Sequence, residues 1–416
     1  MIVKPFRGLR PRSDLAAGIP SAPYDVVTTE EARERVRRNP RSFLRVVRPE
    51  VDLDPGTDPH DERVYRTGRD NFRALIDAGD LVRDAVPAYY AYRLRGAGHT
   101  QTGIFGAVAL EDYLEGRIKR HEHTRPDKEL DRARLIDALS AHPGPVFLAH
   151  RRDPRLAEEI AAATASSPAT SHTDENGVEH QVWVVDEAER RERIERLFRD
   201  VPASYIADGH HRAAAAARVC AERSARLEAA GGAAPWRFFL AAHFPGDELR
   251  ILEYNRVVRD LAGRTPAEFL DELRARGFEL KADRAARRPP RRGSFGMYLD
   301  RRWYLLVPTE RPRPGDVAAG LDVAVLAATL LAPVLGIDDP RSSQRIDFVG
   351  GARGPEELER RVDSGAWAVA FALHPTSLGD VMRVADTGGV MPPKSTWFEP
   401  KLRSGLVVQL LDGKEL

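Results

Sequence analysis

The chain has 416 residues, enough for one large integrated domain or two to three ordinary ones. Hydrophobic residues make up 42%, sufficient for a real core, and no apolar run reaches the length of a membrane span. Charged residues reach 31% but the formal net charge is only +1, which speaks against a nucleic-acid partner, and the single cysteine, Cys220, excludes an intrachain disulfide.

The opening "MIVKPFRGLRP" has no apolar signal core, so no export signal is expected, and a cytoplasmic location fits the lone cysteine. "PSAPYDVVT" (20–28) reads as an ordered turn leading into a helix at "TEEARERVRR", capped by Thr28 or Thr29 with Glu30 or Glu31 in its first turn. A second helix is expected from about Asp61 to Asp77, ending at Gly79. Two strands follow, "AVPAYYAYRLR" (85–95) and "HTQTGIFGAVAL" (99–110), joined across a glycine-containing turn.

After "HEHTRPDKEL" (121–130) the pattern is helical, with Leu130, Leu135, Ile136 and Leu139 expected on one face. Strands at 144–151, 181–186 and 203–208 then alternate with helices "RLAEEIAAATA" and "EAERRERIERLF". An alanine-rich helix runs from about His211 to "AAGGAA", followed by strands "WRFFLAAHF" (236–244) and "LRILEYNRVV" (249–258). This alternation predicts a mixed α/β fold. The last third reads as helix "AEFLDELRARG", hairpin 294–308, buried helix "VAVLAATLLAPVLGI" and strand 366–374. Composition breaks near 170–180 and 284–293 read as loops, the basic "RAARRPPRRG" as a solvated one. Soft divisions fall at 1–110, 111–283 and 284–416, within one integrated unit.

Three clusters carry chemistry. In "YIADGHHRAAAAA" (205–217) a strand passes into a helix, and the first turn of a helix offers backbone N–H groups to an anion. Asp208 can cap that helix, Gly209 permits a positive φ or close approach, and Arg212 suits bidentate phosphate or carboxylate binding. His210 and His211 titrate near neutrality and can move protons, but adjacent side chains at a helix start diverge, which disfavours joint metal ligation. A plain capped helix is the competing reading. The second cluster, His121, Glu122, His123, Thr124 and Arg125, stands just before a helix and reads equally well as a solvated charge run. The third, "MPPKSTWFEPK" (391–401), offers Lys394, two hydroxyls at Ser395 and Thr396, and Lys401, with aromatics for packing. It is no Walker loop.

Together, "PYDVV", "HEHT", "YIADGHHR" and "MPPKSTWFEPK" resemble a bacterial and archaeal family catalogued as domain of unknown function 1015. "DGHHR" also resembles the signature turn of the ParB/sulfiredoxin superfamily, which includes chromosome-partition proteins, sulfiredoxins and free serine kinases. His210 stands where sulfiredoxins have their catalytic cysteine, so thiol repair is not expected. Asp208, Gly209 and His210 match the phosphate-holding turn of the free serine kinases, and the chain is similar to pyrophosphate-dependent serine kinases.

The resemblance implies a ParB/sulfiredoxin-like core with N- and C-terminal elaborations. It also implies phosphoryl transfer to a small hydroxyl acceptor, first of all free L-serine. Pyrophosphate, ATP or ADP would be the donor, with Mg²⁺ expected and Asp208 as its candidate ligand. On this reading Gly209, His211, Arg212, Lys394, Ser395, Thr396 and Lys401 hold phosphate. Asp208, Glu122 or His210 takes the hydroxyl proton, and Tyr24, Asp25, His121, His123 and Thr124 shape the substrate pocket. A metal-dependent phosphatase or nuclease, and a nucleotide-gated DNA-binding protein of the ParB type, are the rivals. Neither a membrane nor a nucleic acid is an expected partner, and the oligomeric state is not legible.

Overall fold

The computed structural model describes residues 1–226, 234–310, 317–412 and 416. The fold is mixed α/β. Contacts divide it into two compact units, Met1–Leu249 with Pro400–Leu416, and Arg250–Glu399. These divisions do not coincide with the breaks placed at 110 and 283. Residue 110 directly follows the strand His99–Ala109, inside the first unit's sheet, and residue 283 lies within the second unit.

The first unit is built on a nine-stranded sheet. Its order runs Ile118–Lys119, Ser204–Asp208, Val146–His150, Phe238–Pro245, His99–Ala109, Tyr89–Gly96, Glu179–Val185, Thr170–Thr173, with Val3–Lys4 also paired to His99–Ala109. Val146–His150 and Phe238–Pro245 pair in parallel and are buried along their whole length, as continuous apolar runs in a sheet centre should be. Tyr89–Gly96 and His99–Ala109 form the expected hairpin, turning through Ala97 and Gly98, both at positive φ. One core gathers Val3, Ile104, Leu148, Trp183, Phe198 and Ile206.

Local signals placed most helices. Thr28 caps Thr29–Arg38 in a capping box with Glu31, and Asp61 caps Glu62–Asp77. Helix Pro126–Leu139 packs on His210–Arg226 through Ala133, Ile136, Ala215 and Val219, braced by Arg218–Glu129 at 2.8 Å and Arg223–Asp137 at 2.9 Å. Leu130 is not on that face and is exposed: it lies five residues, about 140° of helix, from Leu135. The end expected for the alanine helix, near "AAGGAA", lies outside the described residues. The loop expected at 170–180 is a hairpin of Thr170–Thr173 with Glu179–Val185.

The second unit is a six-stranded antiparallel sheet, ordered Phe278–Ala282, Arg302–Pro308, Phe295–Leu299, Val369–Ala372, Tyr254–Val258, Ile346–Gly350. Phe269, Phe295, Leu326, Leu330 and Phe371 pack one core; Val257, Trp303, Leu358 and Ala370 pack another. The single strand expected over 249–258 divides at Glu253: Arg250–Leu252 pairs with Trp397–Glu399, and Tyr254–Val258 enters the large sheet. Expected buried helix "VAVLAATLLAPVLGI" begins as Asp322–Leu326 and widens into a π-turn at Ala327–Leu331. Basic 284–293 is largely exposed, as expected, with Arg292 paired to Asp380 at 3.0 Å. Among the described residues no helix is long and apolar enough to cross a membrane.

Candidate functional site

The strand Ser204–Asp208 is buried through Ala207, and its pairing with Val146–His150 slips between Ile206 and Asp208. A bulge of this kind re-aims the residue beyond it, here Asp208. Gly209 follows at φ +98°, a conformation that L side chains rarely adopt, and helix His210–Arg226 begins at once. The turn therefore has the shape that the sequence led one to expect.

Its side chains are partly committed to one another. Arg212 folds back over Gly209, so that a Cβ at position 209 would lie 2.9 Å from Arg212 Nε. The guanidinium donates to the Pro145 carbonyl and, through Nη2, approaches Asp208 Oδ2 at 3.2 Å. Lys401 Nζ lies 3.5 Å from the same carboxylate oxygen. One carboxylate thus faces two cations, and the group keeps a net positive charge that suits an anion.

The second cluster docks on this turn. The His121 and His210 rings meet edge to face with centroids 4.5 Å apart, and the His121 N–H points to His210 Nε2 at 3.5 Å. With Nε2 accepting, the His210 proton belongs on Nδ1, which faces Glu122 Oε2 at 3.8 Å. The Arg125 N–H donates to His211 Nε2 at 3.1 Å. Burial pulls the His210 pKa well below its ordinary value, with His121 adding to the shift, and burial pulls His121 down to about 4. Both rings are therefore neutral near pH 7. His210 is only 5% exposed, whereas the Glu122 side chain is 35% exposed, so the glutamate is the more accessible base. Thr124 Oγ1 faces Glu129 at 3.4 Å, and His123 is exposed.

Beside Arg212 lies a small pocket bordered by Tyr24, Arg132, Leu135, Leu240, Arg212 and Ser404. Arg132 stacks over the Tyr24 ring at 4.3 Å, and burial raises the Tyr24 hydroxyl's pKa. Asp25 is exposed. Segments around residues 24, 121–125, 208–212 and 401 therefore come together within the first unit. Arg132 and Ser404 were not singled out from sequence, because neither stands in a local pattern that marks a site.

Lys394, Ser395 and Thr396 belong to the second unit. Lys394 adopts φ +56° and is exposed, with Nζ 5.7 Å from the Tyr254 ring. Ser395 is buried; its hydroxyl donates to the Pro392 carbonyl at 2.6 Å and serves the loop itself. Thr396 is half-buried.

Among the described residues no group of three or more His, Cys, Asp or Glu side chains is arranged to hold a metal ion. Asp208 already faces Arg212 and Lys401, and two cations on one carboxylate oppose a third. These residues do not fit a protein-held Mg²⁺.

A family model described as "Protein of unknown function (DUF1015)" matches residues 3–324. No curated protein matches the chain. Among solved structures, a free serine kinase in complex with AMP is similar at 14% identity, over 71% of this chain and 86% of that one, with a TM-score of 0.34. SbnI with a C-terminal truncation, from Staphylococcus aureus, is similar at 11% identity over 74% and 87%, TM-score 0.38. A conserved hypothetical protein from Pyrococcus furiosus is similar at 14% identity over 74% and 95%, TM-score 0.34.

Proposed function

The chain belongs to the DUF1015 family, and from that premise we propose that it is a phosphotransferase acting on a small hydroxyl acceptor, free L-serine first. The serine assignment comes from the motif resemblance. The observation that supports a reaction site is the docking of His121–Arg125 on the Asp208–Arg212 turn, which sets an accessible carboxylate beside a helix N-terminus and a net cationic group.

In this reading the N–H groups of His210, His211 and Arg212, made approachable by Gly209, cradle the donor phosphates. Asp208 holds Arg212 and Lys401 where they neutralise charge on the transferred group. Because its carboxylate is already engaged by those two cations, Asp208 is an organiser rather than the base. Glu122 takes the acceptor's hydroxyl proton as the oxygen bonds to phosphorus, and the bond to the leaving phosphate breaks. His210 positions Glu122 from behind. Tyr24, Asp25, His123 and Thr124 shape the acceptor side. With pyrophosphate the products are O-phosphoserine and inorganic phosphate; with ATP or ADP the leaving group is ADP or AMP.

The test is direct. Purified protein is incubated with L-serine and Mg²⁺ and, in turn, pyrophosphate, ATP and ADP, and O-phosphoserine is measured. Glu122→Gln is expected to lower kcat by about 100-fold or more. Absence of O-phosphoserine with every donor rejects the proposal, and donor hydrolysis without acceptor points instead to a phosphatase.

A further inference from the structure

In the second unit, Arg256 on strand Tyr254–Val258 is 3% exposed. A buried guanidinium usually sits against a carboxylate. Arg256 instead donates to three carbonyls: Tyr254, Pro393 at 3.3 Å and Lys394 at 3.0 Å. Its carbon also lies 5.2 Å from the Phe348 ring centroid. Among the described residues it forms no ion pair, and burial draws its pKa down to about 10. A positive charge is thus kept under the Pro392–Thr396 turn without an acidic partner.

The carbonyl contacts fix the direction of the turn. In a trans peptide the C=O and the following N–H point opposite ways. With the Pro393 and Lys394 carbonyls turned onto Arg256, the N–H groups of Lys394 and Ser395 point away from the guanidinium. Lys394 is left-handed at φ +56°, and a left-handed residue within a turn sets successive N–H groups around one concavity, the backbone nest that receives anions. The exposed Lys394 ammonium stands at the same turn, near the Tyr254 ring.

We propose that the Pro392–Thr396 turn is an anion site of the Arg250–Glu399 unit, made for a phosphate or diphosphate group, with Arg256 as its positioning residue. The identity of the anion rests on the phosphotransferase reading; the site itself does not. Ser395 contributes its backbone N–H rather than its hydroxyl, which is used within the loop.

The experiment measures pyrophosphate binding to the full chain by calorimetry, alongside O-phosphoserine formation and the unfolding midpoint. The variants are Lys394→Gly, Arg256→Met, Arg256→Lys and, in the first unit, Arg212→Gln. Lys394→Gly suits a left-handed residue and keeps the turn while removing the ammonium. It and Arg256→Met are each expected to weaken pyrophosphate binding by about tenfold or more, with Arg256→Lys intermediate. In Arg212→Gln, binding at the second unit persists. A purely structural Arg256 would lower the unfolding midpoint and leave the affinity of the folded molecules unchanged, which overturns the proposal. So does unchanged affinity in Lys394→Gly, or no pyrophosphate binding by the natural chain. Weakened binding in Lys394→Gly without O-phosphoserine from any donor supports the anion site and rejects the kinase; normal product formation with unaltered binding in both variants does the reverse.

Discussion

Of the twelve histidines, all but His374 fall in the unit Met1–Leu249 with Pro400–Leu416, and seven of them are buried there: His121, His142, His150, His172, His180, His210 and His243. The Arg250–Glu399 unit has His374 alone, half-buried. Burial is the leading cause that lowers the pKa of all seven, and it draws His121, His142 and His172 to about 4. The two units hide charge differently: the first stores neutral imidazoles and buries arginines such as Arg223 and Arg403 against carboxylates, whereas the second buries the Arg256 guanidinium against carbonyls. The first arrangement is sensitive to mild acid and the second is not.

The largest expected effect tests this contrast. Between pH 6.5 and about 4 the unfolded chain binds protons that the folded first unit refuses. Stability present above 6.5 is therefore lost as pH falls toward 4. Each histidine held neutral by burial adds to this loss, against the roughly 5–15 kcal/mol that holds a domain folded. Hydrogen exchange at pH 7 and near pH 4.5, corrected for intrinsic rates, should show Val146–His150 and Phe238–Pro245 losing protection before Phe295–Leu299 and Val369–Ala372. Loss of protection in the second unit first, or in both at one pH, breaks the contrast.

A second, smaller effect concerns the two tight turns. Gly209 at φ +98° lies against Arg212, whereas Lys394 at φ +56° is an exposed residue in a left-handed pocket that glycine would fit better. Gly209→Ala combines backbone strain with a clash at Arg212 Nε. It should cost about 1–3 kcal/mol, read from the urea midpoint, and displace Arg212 from Asp208. An alanine variant of natural stability would mean that the turn relaxes freely and that Gly209 is not a conformational requirement.

What was legible in the sequence was local. "DGHHR" announced its own turn because glycine and a following alanine run act over a few residues, and Thr28 or Thr29 before an acidic first turn announced a helix start in the same way, which the structure resolves as a capping box of Thr28 with Glu31. The "HEHT" segment was visible as a cluster, but its docking on His210 spans almost ninety residues of chain and leaves no periodic trace. The return of Pro400–Leu416 to the first unit was hidden for the same reason: no composition break marks Glu399. Leu130 is apolar, but its helical angle carries it off the face that Leu135, Ile136 and Leu139 share. Inside "YNRVV", Arg256 between buried Asn255 and Val257 is itself a signal, since a central strand seldom hides a cation that lacks a carboxylate partner.

The smallest effect isolates conformation from charge at Lys394. A non-glycine residue in the left-handed region is strained relative to glycine, but glycine also loses more freedom on folding. For Lys394→Gly the relief of strain should offset that loss, leaving the unfolding free energy within about 1 kcal/mol of the natural chain. Lys394→Ala keeps the strain and removes the ammonium, so it should be less stable than the glycine variant by about 1 kcal/mol while binding pyrophosphate no better. Denaturant titrations of the two variants side by side read this difference directly. Equal stability would show that the turn is held by Arg256 and the Ser395 hydroxyl tightly enough to make the residue at 394 conformationally indifferent, and its lysine would then matter through charge alone.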